Sequence, residues 1–359
     1  MTQQVERIDF SQIDWQNLLP RLGIDSHFIA HPKKRGPCPI EQSGSTRFRF
    51  HNEQGRGNWV CNCGGGDGVR LVALVHGITD AKAVLLIREH LQGVPAMCHA
   101  PKRVPTAVKT PAQRDKARSM LQQVWSESMP IATTPAMTYL CNRVRDLQSG
   151  WLSPALRFHP ALMHYDDESG QKSQRPALVA RVVDASCPEK AVTIHRTYIT
   201  QEGQKAPVSP SQVKKVMTTT VDKLSGESIQ VNTRHSATVI VAEGIENALA
   251  WVAATGNRYA VYAALNCHNL SRFCWPKETR YLLVAADNDA PNPRTGLRPG
   301  LHNALVLQER AESAGLRVKV MLPPRQGVDF DDLWNAGQVS AFEFRAKENT
   351  PVPLAQAVC

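Results

Sequence analysis

Between Thr238 and Leu322 short apolar runs alternate with stretches of helical pattern, and this alternation limits the fold more than any other feature of the chain. TVIVA (238–242), RYAVYAAL (258–265), RYLLVAA (280–286) and LRVKVML (316–322) read as strands. EGIENALAWVAATG (243–256) and GLHNALVLQERAESAG (300–315) read as helices. Such alternation implies a mostly parallel sheet covered by helices, because parallel neighbours need a crossover and the crossover packs on the sheet face. Ligands of these sheets sit at the C-terminal ends of the strands. Three of the ends carry acids: Glu243 after the first run, Asp287 and Asp289 in AADND, and Asp329, Asp331 and Asp332 in VDFDD. Any one of these acids could be a helix cap or a solvated turn residue. Parallel strands would bring all of them to one edge, where Mg²⁺ (or Mn²⁺) finds the oxygen ligands it prefers. A carboxylate cluster of this kind beside a basic surface is what metal-assisted phosphodiester chemistry requires.

The basic surface is present in the composition. Lys plus Arg number 42 against 32 Asp plus Glu, a formal charge of +10, which favours a polyanionic partner. No run of about 18 apolar residues occurs, and the N-terminus lacks a basic stretch followed by an apolar one. A cytoplasmic protein with no membrane association is the expectation. Nine irregularly spaced cysteines argue against a disulfide framework.

Cys38, Cys61 and Cys63 form the one cysteine group with chemical context. GPCPIE (36–41) is followed by RFRF (47–50), a Gly-containing turn, and NWVCNCGGGDG (58–68). RFRF and NWV read as short strands, and the glycines after Cys63 as a tight turn. The period of two puts Arg47 and Arg49 on one face and Phe48 and Phe50 on the other. Arginines on one face, with Trp59 near, suit contact with nucleic-acid phosphates and stacking on bases. Helical patterns precede the cluster (ending at Gly23) and follow it, from Val69 to Leu91. Residues 112–149 read as two helices parted at 129–135, and residues 150–235 mainly as strands and turns, among them PALVARVVD, AVTIHRTYIT and SIQVN.

VIVAEG (239–244) together with LVAADND (283–289) resembles the Toprim fold, the catalytic domain shared by bacterial-type primases, topoisomerases and some nucleases. The resemblance implies an acid/base or metal-ligand role for Glu243 and Mg²⁺ binding by Asp287 and Asp289. VDFDD (328–332) resembles a segment of plasmid and satellite-phage primases, which adds Asp329 as a further metal ligand. The cysteine segment resembles a primase zinc ribbon, which implies Zn²⁺ on Cys38, Cys61 and Cys63. Position 41 is Glu where that family carries Cys or His, and the second knuckle is C-x-C, so His31 or Glu41 is the fourth-ligand candidate, with His51 more remote. LRFHPAL (156–162), PALVARV (176–182) and TIHRTYIT (193–200) resemble the middle region of the same primases, with Arg181, His195, Arg196 and Lys205 as candidates for nucleotide or template contacts.

The expected architecture is α/β and α+β multidomain. A zinc-ribbon template-binding domain spans 1–93, a basic Pro-rich linker 94–111, the middle of the catalytic core 112–235, a Toprim domain 236–345 and a tail 346–359. The resemblance implies a DNA primase that makes short RNA primers from ribonucleoside triphosphates on single-stranded DNA, for replication or transfer of a mobile element. No G-x-x-x-x-G-K-[ST] motif occurs in these residues, so a separate replicative helicase is the expected partner. The rival readings are a Toprim-type nuclease and an inactive single-stranded DNA-binding accessory protein.

Overall fold

The computed structural model describes residues 9–10, 12–29, 35–42, 47–52, 55–61, 63–91, 109–166, 170–185, 187–291 and 297–343. His31, most of the proposed linker and the tail lie outside the described residues. One compact unit ends at Val108 and a larger one begins at Lys109.

The first unit contains α1 (Trp15–Arg21), α2 (Ser26–Ile29), β1 (Phe48–Phe50), β2 (Trp59–Cys61), β3 (Gly64–Gly66), α3 (Gly68–His76) and α4 (Asp80–Leu91). The three strands form an antiparallel sheet in the order β1-β2-β3. Asp14 starts α1 by accepting from the Asn17 N–H, and Asp67 starts α3 by accepting from the Arg70 N–H at 3.0 Å. The alternation of RFRF holds: Phe48 and Phe50 are buried and the two arginines half-buried. Trp59 departs from expectation. It lies in the core, 2% exposed, stacked on Phe48 at 5.7 Å, and its Nε1–H donates to the Asp67 carbonyl. A ring so enclosed has no free face for a base, because this small unit needs its aromatics for its own core.

The glycines after Cys63 also differ from expectation. Gly64–Gly66 is an edge strand paired with β2 rather than a tight turn. Side chains there would collide with their surroundings: a Cβ on Gly66 would lie 2.9 Å from the Arg70 Cβ. At Gly68 the Trp15 ring passes so close that a Cβ would sit 2.2 Å from it.

The larger unit begins with a clasp. The Lys109 ammonium donates to the carbonyls of Thr219 (2.6 Å) and Val221 (2.8 Å), and its backbone N–H donates to Asp222. α5 (Pro111–Ser126) follows, capped by Thr110 and Gln113, then β4 (Met129–Pro130) and α6 (Pro135–Arg143). β5 (Leu156–Tyr165), β6 (Lys172–Asp184), β7 (Cys187–Tyr198), the short α7 (Pro210–Val213) and β8 (Lys214–Val216) complete an antiparallel sheet of order β4-β5-β6-β7-β8.

A second sheet has the order β13-β12-β10-β11-β9. It comprises β9 (Ile229–Gln230), β10 (Thr238–Ala242), β11 (Ala260–Ala263), β12 (Tyr281–Ala285) and β13 (Arg317–Met321). All pairs are parallel except β11 with β9. The connecting helices are α8 (Ile245–Ala254), α9 (Cys267–Leu270) and α10 (Pro299–Ser313), and α11 (Phe330–Asn335) follows β13. Both sheet faces are covered, as the alternation requires. Ile240, Ala242, Leu283 and Ala285 join a core that includes α8, whereas Val239, Val241, Leu282 and Val284 join one that includes Ala304, Leu307 and Ala311 of α10. The first of these cores also takes in Leu140, Leu156, Phe158, Leu178 and Ala180, so the antiparallel and parallel sheets share it. β9, read from sequence as part of the strand-rich middle, pairs with the parallel sheet instead.

Gly68→Ala is expected to destabilise the first unit by about 1–3 kcal/mol through overpacking against Trp15. Gly36→Ala, whose Cβ would meet nothing within 4 Å, is expected to have no such effect. Urea unfolding followed by tryptophan fluorescence on the full chain compares the two.

Candidate functional site

In the first unit three thiols converge. The sulfurs of Cys38, Cys61 and Cys63 lie within 4.8 Å of one another, all three residues buried, with Cys38 and Cys63 Sγ 3.5 Å apart. The short β1–β2 pairing, Phe48 opposite Cys61, brings the second knuckle beside the first. Thiolates on tetrahedral zinc, with Zn–S bonds of about 2.3 Å, stand roughly 3.8 Å apart, so the donor set fits this metal. Hydrogen bonds from the Cys61 and Cys63 thiols pull Cys38 down to about 3, against burial and aided by the backbone N–H groups of Glu41 and Ile40. The same bond to Cys38 pushes Cys61 up to about 12 and Cys63 well above its ordinary value. The three sulfurs therefore share protons that a bound cation would replace.

Glu41 stands at the rim of this group. One of its carboxylate oxygens lies within 4.8 Å of Cys63 Sγ, its backbone N–H donates to Cys38 Sγ at 3.3 Å, and it pairs with Arg47 at 2.5 Å. Arg47 is thus engaged within the ribbon, while Arg49 lies on the same half-exposed face.

In the larger unit the acids line one edge of the parallel sheet. Glu243 follows β10, and Gly300 at the start of α10 packs against it: a Cβ there would lie 2.9 Å from Glu243 Oε1 and 2.5 Å from the Asp287 carbonyl. Asp287 follows β12 and accepts from the Asn247 side chain at 2.8 Å. Asp289 accepts from the Gly300 N–H at 3.2 Å, at the N-terminal end of α10. Asn288, between them, ties this loop to the next one by donating to the Pro323 carbonyl, and its own carbonyl accepts from Gly327 N–H. Asp329 is the N-cap of α11, with Asp332 accepting from its N–H at 3.3 Å.

Among the described residues, the carboxylates whose oxygens all fall within 4.8 Å of one another are Asp329, Asp331 and Asp332. Glu243, Asp287 and Asp289 share the edge without closing into so tight a group. Magnesium does not demand such a cage, since it keeps several waters and uses one or two carboxylates with substrate phosphates. The electrostatics fit a cation. Burial, then the charges of Asp329 and Asp289, push the Asp287 carboxyl up to about 8, despite the Asn247 hydrogen bond. Burial and the charges of Asp332 and Asp289 likewise raise Asp329.

Two cations approach these acids, and the motifs did not single out either. Arg143, at the end of α6, forms an ion pair with Asp331. Lys214, at the start of β8, pairs at 2.8 Å with Glu246, which also accepts from the Tyr139 hydroxyl at 2.6 Å. Burial opposes ionisation of Glu246, but Lys214 and Tyr139 hold its carboxyl well below the usual carboxylate range. Both cations temper the rise at Asp329. Asn247 joins the two halves of the edge. Its Nδ2–H donates to Asp287 and its Oδ1 accepts from the Asp331 N–H at 3.2 Å.

The other basic candidates have different surroundings. Arg181 lies over the Trp125 ring at 5.9 Å and donates to the Pro188 carbonyl. Arg196 lies over Tyr198 at 5.7 Å and donates to its hydroxyl. Lys205 is exposed, at an isolated bridge with Ile199. His195 is buried, and burial with the charge of Lys214 lowers its imidazole to about 4, so it is neutral near pH 7 and offers no charge to a phosphate.

Residues 33–69 match the family described as the zinc-binding domain of primase-helicase, and residues 238–338 match the Toprim domain. Residues 115–225 match a domain of unknown function, DUF7146. The chain therefore carries a primase-type zinc ribbon followed by a Toprim domain. Among solved structures, the chain is similar to the zinc-binding and RNA polymerase domains of the Aquifex aeolicus primase (14% identity, 85% of this chain and 76% of that one, TM-score 0.36). It is also similar to the primase fragment of the bacteriophage T7 primase-helicase protein (11%, 86% and 96%, 0.36) and to the E. coli primase catalytic core (16%, 63% and 76%, 0.37). No helix among the described residues is long and apolar enough to cross a membrane.

Two outcomes are expected. The protein as purified contains one zinc per chain by elemental analysis, and Cys63→Ser loses it, whereas Glu41→Ala and His31→Ala separate the fourth-ligand candidates. Binding of Mg²⁺ at pH 7 releases roughly one proton, because Asp287 must ionise to bind, and the release falls off as pH rises past about 8. Calorimetry in buffers of differing ionisation enthalpy measures that release.

Proposed function

We propose that this chain is a DNA-dependent primase, assembling short RNA primers from ribonucleoside triphosphates on a single-stranded DNA template. The observation that carries this reading is the acid edge of the Toprim sheet with Lys214 of β8 and Arg143 of α6 paired to two of its acids. That arrangement sets metal ligands beside cations, as nucleotidyl transfer to a polyanionic substrate requires. Glu243, Asp287, Asp289 and Asp329 would hold Mg²⁺ or Mn²⁺, whose chemistry is to draw charge from the triphosphate as a 3′-hydroxyl attacks in line and pyrophosphate leaves.

The chain's own residues have separable duties. Asn247 holds the Asp287 carboxylate in place, and Gly300 leaves room for Glu243 and for the Asp287 backbone while its N–H holds Asp289. The zinc ribbon offers Arg49 to template phosphates, and Arg47 steadies Glu41 at the metal's rim. Arg181, Arg196 and Lys205 supply salt-dependent affinity for single-stranded DNA from the strand-rich segment. A helicase supplies unwinding, and the likeness of 328–332 to plasmid and satellite-phage primases points to a mobile element as the replicon.

The test uses single-stranded DNA, labelled ribonucleotides and Mg²⁺. Short labelled oligomers are expected from the wild type. Cut template would favour a nuclease, and retardation without either product would favour a DNA-binding accessory protein. Asp287→Asn is expected to abolish synthesis while leaving DNA affinity within about twofold, because no template contact is assigned to it. Equal loss of both would remove its assigned role.

A further inference from the structure

The parallel sheet begins its order β13-β12-β10-β11-β9 with β13, which pairs with β12 alone among the described residues. The Arg317 N–H donates to the Arg280 carbonyl, and the Met321 carbonyl accepts from the Ala286 N–H. Alternate residues of a parallel strand turn both backbone groups to the same side, so Arg317, Lys319 and Met321 face β12. Val318 and Val320 turn their N–H and C=O groups outward, as an open row. All of β13 is half-buried, whereas β10 and β12 are buried beyond their first residues. The two faces beside this edge differ. On one, Val318 and Val320 pack against the core that includes α10. Arg310 of α10 donates to the carbonyls of Arg272 and Phe273, just beyond α9. The opposite flank of the helix, with Leu301 and the 48%-exposed Leu305, therefore lies toward the outer side of β13. On the other face is an open cleft of about 670 Å³, lined in part by Arg258, Tyr259, Lys319, Phe342 and Glu343. Arg317 shares the face of Lys319. Three cations thus stand there against the acid Glu343, and neither Arg258 nor Lys319 has an ion-pair partner among the described residues.

The geometry points to the outer edge of β13 as a docking site for an extended acidic peptide, added to the five-stranded sheet as a sixth strand. Main-chain hydrogen bonds to Val318 and Val320 supply affinity, and alternate side chains supply choice. One set of the peptide's side chains lies over the cleft and meets Arg258, Arg317 and Lys319, so acids are preferred there. The other set lies beside Leu301 and Leu305, so apolar residues are preferred there. A second copy of this chain suits the edge poorly. Pairing β13 with itself across a two-fold axis sets Arg317 and Lys319 of one copy against the same cations of the other. A lysine on an edge also deters apolar strands, which leaves acidic ones as the strands that gain by pairing. The site goes beyond the primase reading and rests on none of its nucleotide chemistry.

Fluorescence anisotropy on the full chain tests this with two fluorescein-labelled decapeptides, one alternating glutamate with valine and the other lysine with valine. The acidic peptide is expected to bind the wild type and the basic one not. Lys319→Glu is expected to weaken the acidic peptide roughly tenfold, the scale of one charge-assisted contact, and to admit the basic one. Leu305→Asp is expected to weaken the acidic peptide as well. Val320→Pro removes an outward N–H, a change that an open edge tolerates, and is expected to abolish binding of the acidic peptide. Should Val320→Pro lower the melting temperature, Lys319→Glu and Leu305→Asp decide by themselves: loss at both with the exchange of charge preference supports the inference, and unchanged affinity overturns it. The inference also falls if the acidic peptide does not bind the wild type, if the two peptides bind it equally, or if a normally folded Val320→Pro keeps full affinity. A wild-type dimer in sedimentation that Val320→Pro dissociates would assign the edge to a second copy and overturn the inference. A peptide of residues 351–358 that outcompetes the acidic one would assign it to the chain's own C-terminal segment, with the same consequence.

Discussion

Carboxylates gathered at one end of a parallel sheet repel one another, and the larger unit is organised around that repulsion. Two unit charges about 4 Å apart interact by about 4 kcal/mol at the effective dielectric near a protein surface, so several acids along one edge cannot stand unanswered. The answers come from different parts of the chain. Arg143 of α6 meets Asp331, Lys214 of β8 meets Glu246, Asn247 donates to Asp287, and the Gly300 N–H meets Asp289. What is left over falls on Asp287, whose carboxyl keeps its proton up to about 8. A divalent ion would relieve at once what the side chains relieve only in part.

The two units answer opposite problems with opposite donors. In the first, three sulfurs sit in a small aromatic core, where soft ligands and a closed site suit a structural ion. In the second, oxygens sit at a sheet edge beside half-exposed cations, and hard oxygen ligands of this kind suit an ion that keeps several of its waters. Trp59 shows the cost of smallness in the first unit. A residue that would serve as a stacking platform on a larger scaffold is drawn into the core of this unit, stacked on Phe48.

Much of this was legible in the chain. The parallel sheet follows from short apolar runs separated by helical ones, the acids at 243, 287 and 289 from their places directly after two of those runs, and Asp329 from its place one short Pro-rich loop after a third. The three cysteines follow from their spacing. The partners of the acids did not follow, for a physical reason. Lys214 and Lys205 lie in the same polar stretch, and nothing local separates them; only the pairing of β8 with β7 aims one of them at α8. Arg143 ends a helix whose pattern speaks of packing, not of the acid that meets it 188 residues later. Glu246 and Asn247 lie beside a recognised motif, yet their bonds are to tertiary neighbours. Gly64–Gly66 misled because glycine runs suggest turns, whereas here the absence of side chains lets an edge strand lie against Trp59 and Arg70.

Residues 228–232 are stitched into both sheets. Ser228 bridges to Val183 and Asn232 to Leu152 on the antiparallel side, while Ile229 and Gln230 pair with β11 on the parallel side. Asn232 also donates to the Asn257 side chain and the Tyr259 carbonyl, and its Oδ1 accepts from the Val261 N–H, all within the parallel-sheet region. A fragment cut at residue 236 would bare the flank of β11 and open the core that the two sheets share, so the two sheets are expected to unfold together.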